Sequence, residues 1–288
     1  MSAVFKREIN SYYNGVIGWL FAAFILLFAG IYTRAYNLSG YYSNFEYVLH
    51  AIGFIYLIAV PVITMRSVAE ERRQKTDQLL YSLPISMTQV VLGKYFAMLI
   101  VLLLPTIIMG LYPLILTQFG SVELSVAYGA LLGFFLVGSC LLAIGLFISA
   151  TAESQVVAAV LTLVVMLVLY FMSGLASFVP STSGASLVAL VLLVVLFAVI
   201  LQLMAKNVII TAVTAIVGIG VLMLLYMRNA DSFSGLFGTI MAQLSVFDRF
   251  DSFTDGVFDL NAIVYYLSIA VAFLFLTVQA MEKRRWSE

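Results

Sequence analysis

Charge is scarce in this 288-residue chain, and the residues able to do chemistry gather in one short segment. Arg66, Arg72, Arg73 and Lys75 lie with Glu70, Glu71 and Asp77 in twelve consecutive positions. Glu70, Glu71, Arg72, Arg73 and Lys75 sit at spacings that form ion pairs on a helix. Such a run suits docking against a surface. Patterns for catalysis fail elsewhere. Gly93-Lys94 is followed by Tyr95 where a phosphate-cradling G-x-x-x-x-G-K-[ST] loop needs Ser or Thr. No His-Glu-x-x-His run or Cys/His cluster occurs, so no metal site is expected. The single cysteine, Cys140, falls in an apolar run and reads as a small packed residue. The expectation is a chain with no catalytic residue and no metal.

Local signals surround the charged run. Thr76 can cap a short helix through Leu83, which Pro84 ends. Leu79, Leu80 and Leu83 would form one apolar edge on it, which needs a partner surface or the headgroup layer. A solvated charged loop is the plainer alternative. Ser86-Met87-Thr88-Gln89 is a capping box. The helix it starts can run from Met87 to Thr117, about 46 Å at 1.5 Å per residue. It would protrude from the membrane, with Lys94 near the interface. A second polar connection, Thr151–Gln155, is short and carries Glu153 but no Lys or Arg.

The composition dictates where these elements sit. Hydrophobic residues make up 64% of the chain and charged residues 10%, with a mean hydropathy of +1.11. A soluble domain is nearer half apolar and a quarter charged, so the chain is an integral membrane protein. A bilayer core of about 30 Å needs roughly 20 apolar residues per helix. Eight stretches meet this: Val16–Tyr36, Val48–Met65, Tyr95–Thr117, Ala127–Ala150, Val156–Gly174, Leu187–Ala205, Val208–Met227 and Leu260–Met281. Weak punctuation between the fifth and seventh leaves six to eight spans. The fold class is an all-α polytopic membrane protein. Without period-2 alternation, a transmembrane barrel is disfavoured.

The fourteen Lys and Arg residues orient the chain. One set of alternate loops holds Lys6, Arg7, Arg66, Arg72, Arg73, Lys75, Lys94, Lys206, Lys283, Arg284 and Arg285. The other holds Arg34, Arg228 and Arg249, and Arg34 can snorkel from the end of the first span. The first set is therefore cytoplasmic, with both termini inside. The outer loop before the last span is acidic, with Asp231, Asp248, Asp251, Asp255 and Asp259. The apolar run after Lys6 and Arg7 is too long for a signal-peptide core and is expected as a retained helix.

Before the first span, Phe5, Ile9, Tyr12 and Val16 recur at helical spacing while Lys6, Asn10 and Asn14 line another face. Ser2–Asn14 reads as an amphipathic helix in the headgroup layer of an anionic leaflet. An ordinary positive flank is the alternative. Within the spans almost no ionisable group lies near a midplane, and Glu46 and the lone His50 sit at an outer end. Proton relays and ion-driven carriers need such groups, so a gradient-driven carrier is disfavoured. Pro61, Pro105 and Pro113 can kink the second and third spans. Gly129-x-x-x-Gly133 permits close helix approach, either within the chain or against a second subunit.

Three stretches give the chain a family resemblance. One is Met65–Ala97, with Ala69-Glu70-Glu71-Arg72-Arg73, Leu79-Leu80, Leu83-Pro84-Ile85-Ser86 and Val91-Leu92-Gly93-Lys94-Tyr95. Another joins Ala143–Ser149 to Glu153–Ala159, and the third runs from Phe250 through Leu260 to Tyr265-Tyr266-Leu267-Ser268 and Arg284-Arg285. The chain resembles an ABC-2 type transporter permease, in particular the GldF-like, gliding-motility-associated branch.

That resemblance implies an ABC-2 permease-like helix bundle. Residues 1–14 would be an amphipathic elbow helix and residues 15–288 the transmembrane permease domain. The domain would include a coupling-helix loop at 66–86 and the outer acidic loop at 228–259. The coupling helix, within Val68–Leu83, docks on an ATPase in such permeases, and Thr151–Gln155 would make a smaller contact. The ATPase-coupling residues would be Glu70, Glu71, Arg72, Arg73, Thr76, Leu79, Leu80, Leu83 and Glu153. Gly129 and Gly133 would serve helix packing. ATP and Mg would be bound by partner ABC ATPase subunits and not by this chain. Further partners would be a second permease copy or paralogue, membrane lipids, and a GldG-like subunit with a large outer domain, with no nucleic acid. The usual core has six spans, and Leu187–Ala205 with Val208–Met227 is an apparent extra pair.

The resulting expectation is a permease subunit that couples ATP hydrolysis in separate subunits to substrate movement, in the direction of export, in a bacterial cytoplasmic membrane. The alternatives are a non-transporting membrane subunit of a motility or secretion complex and an ion-gradient-driven carrier.

Overall fold

A computed structural model describes residues 1–76, 85–205 and 208–285, and its regular structure among these residues is entirely helical. The helices, in chain order, are α1 (Ser2–Asn14), α2 (Val16–Thr33), α3 (Glu46–Ala51), α4 (Tyr56–Thr64), α5 (Ala69–Arg73), α6 (Met87–Met109), α7 (Leu111–Leu116) and α8 (Leu124–Thr151). They continue with α9 (Gln155–Tyr170), α10 (Met172–Ser177), α11 (Ser183–Ala205), α12 (Val208–Arg228), α13 (Leu236–Leu244), α14 (Asp248–Thr254) and α15 (Leu260–Arg285).

Six helical runs among the described residues are long and apolar enough to cross a membrane: Val16–Leu38, Glu46–Arg73, Met87–Leu116, Leu124–Thr151, Thr211–Arg228 and Leu260–Arg285. A further apolar helix, Gln155–Tyr170, is shorter at 16 residues, and α11 is apolar over 23. The eight expected stretches are thus all helical, and the fifth is the one whose helix is shorter than a span. The fifth falls short because its helix ends at Tyr170 and Phe171 leaves helical geometry before α10 begins.

Residues 1–170 and 246–288 form one compact unit. Its axis is α8, which is buried along most of its length. A helix apolar on every side belongs inside a bundle, and α15, α6, α4 and α14 pack around this one. Three glycines allow the approach. A Cβ at Gly133 would lie 2.8 Å from Phe253, one at Gly138 2.6 Å from Leu102, and one at Gly145 2.7 Å from Thr64. A Cβ at Gly129 would meet nothing within 4 Å. Of the Gly129/Gly133 pair, only Gly133 is a close packing point, and its contact is within the chain.

Buried tyrosines satisfy their hydroxyls on backbone carbonyls. Tyr56 donates to Phe134 at 2.8 Å, Tyr95 to Ser139 at 3.1 Å and Tyr266 to Val246 at 2.9 Å. The second span is not one regular helix. A 3-10 stretch, Ile52–Ile55, joins α3 to α4, and Pro61 lies inside α4. The third span runs nearly as expected. The Ser86 hydroxyl accepts from the Gln89 N–H at its start, and the helix is interrupted only at Gly110.

Residues 171–245 form the other unit. Leu187, Leu190 and Phe233 make its core, with Leu222, Tyr226, Leu236 and Ile240 packed against them. The α11 and α12 helices lie against each other. The turn before α13 needs the left-handed φ of 69° at Gly235, whose N–H donates to the Ser181 carbonyl at 2.9 Å.

Candidate coupling site

The first unit gathers most of its basic residues at one end. There α1 lies against the start of α6 so closely that a Cβ at Gly93 would sit 3.1 Å from Val4. The face of α1 turned inward is Val4, Glu8 and Tyr12, with Phe5 and Ile9 half-buried beside it. Lys6, Asn10 and Asn14 are exposed, as their face predicts. One carboxylate is therefore carried into the protein by an otherwise apolar stripe.

That carboxylate meets Lys94, whose side chain is fully buried. The Lys94 ammonium lies 3.0 Å from Glu8 Oε1 and 3.0 Å from Glu71 Oε1, and donates to the Ser67 carbonyl at 2.6 Å. Arg7 pairs with both Glu8, at 2.7 Å, and Glu71. Two cations and two anions thus balance in one cluster, and it ties α1, the Ser67–Glu71 segment and α6 together. An ammonium buried without partners would be prohibitively costly, so the pairing is a condition of the fold. The Lys94 side chain is not at a solvated interface, as its position near the end of a span suggested. The start of α6 is instead covered by α1 and the Ser67–Glu71 segment.

The electrostatics follow from this arrangement. Burial pushes the Glu8 carboxyl upward, but the Lys94 ammonium and the Arg7 guanidinium outweigh it and hold Glu8 below the usual carboxylate range. Burial works against the Arg7 charge, and Glu8 and Glu71 more than offset it, so Arg7 is raised. Burial, aided by the Glu8 charge, raises the Tyr12 phenol. The Tyr12 hydroxyl donates to the Ile63 carbonyl at 3.4 Å.

The α5 helix is held at both ends. Its first N–H groups, from Val68 and Ala69, both donate to the Ser149 hydroxyl at 3.2 Å, so α8 supplies a cap the local sequence lacks. Glu70 and Glu71 stand in its first turn and Arg72 and Arg73 in its last, matching the helix dipole. At its end Lys75 takes a left-handed φ of 55°. The Lys75 N–H donates to Arg72 and the Thr76 N–H to Glu71, which is a Schellman closure. Arg66 pairs with Glu70 at 2.6 Å.

Arg72 reaches from α5 to the end of α8, where its two terminal nitrogens donate to the Ala150 and Ala152 carbonyls. Ala69, Ala152 and Ala158 pack together beneath it with Met65. Arg284, from the last span, donates to the Thr151 carbonyl at 3.1 Å. The charged segment and the Thr151–Gln155 connection, expected as two separate contacts, are therefore one joined surface.

The nominated residues fall into distinct places. Glu70 and Glu71 bind basic side chains of the chain itself, and Arg72 joins the two connections. Arg73 and Glu153 are exposed. The exposed Thr76 hydroxyl donates back to the Glu71 carbonyl at 3.2 Å. Leu79, Leu80 and Leu83, with the helix expected to end at Pro84, lie outside the described residues. At the other end of the unit, His50 pairs with Asp251 at 3.0 Å. Sequence reasoning missed Glu8, Lys94 and Ser149 as a group. The one available signal was Glu8, the only acid in the first fourteen residues, at i+4 from Val4 and i−4 from Tyr12.

Among the described residues no group of three or more His, Cys, Asp or Glu side chains is placed to hold a metal ion. No curated protein and no solved structure matches the chain. A family model described as ABC-2 family transporter protein matches residues 32–182, more than half of the chain, including α5, Lys94 and the Thr151–Gln155 connection. With its membrane-spanning helices and its joined charged surface at one end, the chain belongs to the ABC-2 transporter family as a multi-pass membrane permease subunit.

Proposed function

We propose that this permease works in an ATP-driven exporter of a bacterial cytoplasmic membrane, with ATP and Mg bound by separate ABC ATPase subunits. Two permease chains, identical or paralogous, would pair with two ATPases. The observation that carries the reading is the Lys94 cluster. A push on α5 from outside the bundle has a rigid route through Glu71 and Lys94 into α6 and through Glu8 into α1. A second route runs through Arg72 into α8. Of the expected coupling charges, the exposed Arg73 and Glu153 are those left to face an ATPase. The resemblance to the GldF-like branch supports a GldG-like companion, and the scarcity of midplane charge suits a lipidic or amphipathic cargo or a hydrophobic peptide.

The test is recovery of the complex from native membranes in mild detergent. A P-loop ATPase is expected to copurify with the tagged chain. The pair of reversals Arg73→Glu and Glu153→Lys should reduce its recovery several-fold while leaving the thermal stability of the permease unchanged. Glu8→Gln with Lys94→Met, which removes the tie without leaving the Glu8 charge buried and unpaired, should preserve recovery but uncouple ATP hydrolysis from transport. Absence of any copurifying ATPase, or uptake driven by an ion gradient without ATP, would overturn the reading.

A further inference from the structure

At the end of the first unit away from Lys94, an apolar groove of about 340 Å³ runs between the end of α2 and α7. That volume falls in the range of about 300–1,000 Å³ typical of small-molecule sites. Gly30, Thr33 and Arg34 line one side, and Tyr112, Ile115 and Phe119 the other. We propose that it binds one membrane phospholipid, with an acyl chain in the groove and its phosphodiester on Arg34.

Four features select this occupant. Depth is the first. Thr33 lies 17 residues beyond Val16, roughly 26 Å along a helix, which approaches the thickness of a bilayer core. Arg34 therefore stands at headgroup level, where Tyr32 and Tyr36 stack at 6.0 Å and Tyr112 lines the groove, as interfacial aromatics do. The second is charge. Among the described residues no acidic side chain pairs with Arg34, and a planar guanidinium is suited to phosphate oxygens.

The third is a donor without a partner. Several helical threonines return their hydroxyls to the carbonyl four residues back, as Thr64 does to Val60 at 2.8 Å, Thr106 to Leu102 at 2.9 Å and Thr277 to Phe273 at 2.7 Å, whereas Thr33 and Thr162 do not. The Thr33 hydroxyl is buried and bonds to nothing among the described residues, although it lines the groove. A donor left unmade in an apolar setting is costly, and rotation of the Thr33 side chain toward the groove would let an ester or phosphate oxygen satisfy it. The fourth is the backbone. The chain widens into one π turn over Arg34–Leu38 directly after Thr33, a distortion that concentrates at functional sites. Polar and apolar halves are thus stacked along the helix direction, which matches an amphiphile and not a flat protein surface.

Gly30 makes the proposal testable without disturbing the fold, because a Cβ there would meet nothing within 4 Å. The full chain, delipidated in mild detergent, is titrated with dioleoylphosphatidylglycerol, with dioleoylglycerol, which lacks the phosphate, and with inorganic phosphate, which lacks the tails. Native mass spectrometry reads the bound fraction, and thermal unfolding reads the fold. One phosphatidylglycerol per chain should be retained, with dioleoylglycerol about tenfold weaker and inorganic phosphate unbound. Arg34→Gln should weaken phosphatidylglycerol about five- to tenfold, the worth of one charge-assisted contact, and leave dioleoylglycerol unchanged. Gly30→Leu should weaken both lipids at unchanged lipid-free stability, and Thr33→Val should weaken phosphatidylglycerol about two- to threefold. Equal binding by all four proteins, equal binding of the two lipids, or tight binding of inorganic phosphate would overturn the site. So would a Gly30→Leu variant that loses self-association while keeping its lipid.

Discussion

The Lys94 ammonium and the Glu8 carboxylate, 86 residues apart in the chain, meet at 3.0 Å inside the protein. Their pairing fastens a helix that precedes the first span to the start of the third, and Glu71 shares the same ammonium. Lys94→Met would leave Glu8 and Glu71 buried with half their counter-charge. Removing one partner of a buried pair costs about 3–5 kcal/mol. Glu8→Gln with Lys94→Met should cost less than the sum of the two single changes, by about 0.5–3 kcal/mol for residues in contact. A double-mutant cycle on thermal unfolding in detergent measures this, and additive effects would mean the pair is not coupled.

The depressed Glu8 carboxyl links docking of α1 to pH. Because its folded-state value lies below the ordinary 4.5, its contribution is fully present above that value and is lost as pH falls through the lowered one. At neutral pH α1 should be docked. Hydrogen exchange across Val4–Tyr12 should accelerate only in the acid range below the ordinary carboxylate value. In Glu8→Gln this component of the acid transition should vanish.

Ser149 and Arg72 hold α5 from outside. Ser149→Ala removes the cap on two N–H groups and should cost about 1 kcal/mol, as loss of a capping hydroxyl usually does. Arg72→Lys should also loosen α5, because a point ammonium cannot fork onto the Ala150 and Ala152 carbonyls together. Both appear as faster exchange confined to Val68–Thr76. Lys75→Gly should have the opposite sign, because glycine adopts the left-handed φ without the cost a Cβ brings.

The two glycines of the Gly129/Gly133 pair should part company. Gly133→Leu must displace Phe253 and Phe250 and should destabilise by about 1–3 kcal/mol or more, as overpacking does. Gly129→Leu meets open space and should leave the unfolding midpoint of the isolated chain unchanged. If both variants unfold alike, the α8–α14 contact is misassigned.

Some of this was local enough to read without a structure. Apolar runs near bilayer length can only be helices there, because no other open backbone satisfies its own hydrogen bonds in lipid. The Ser86 cap, the exposed stripe of Lys6, Asn10 and Asn14, and the absence of midplane charge likewise follow from residues a few positions apart. Pairings across long stretches of chain do not. Composition places Lys94 at a span end, where water would solvate it; only the docking of α1 and the Ser67–Glu71 segment over it makes it a buried tie. Ser149 looks like any small residue in a packed helix until the Val68 and Ala69 N–H groups converge on it from 80 residues away. Thr33 and Arg34 read as an ordinary snorkelling helix end until the groove between α2 and α7 gives them a shared opening. Hydropathy and capping act through neighbours in the chain and determine the elements. Charge compensation and unsatisfied donors depend on which elements meet, and the tertiary structure alone decided that.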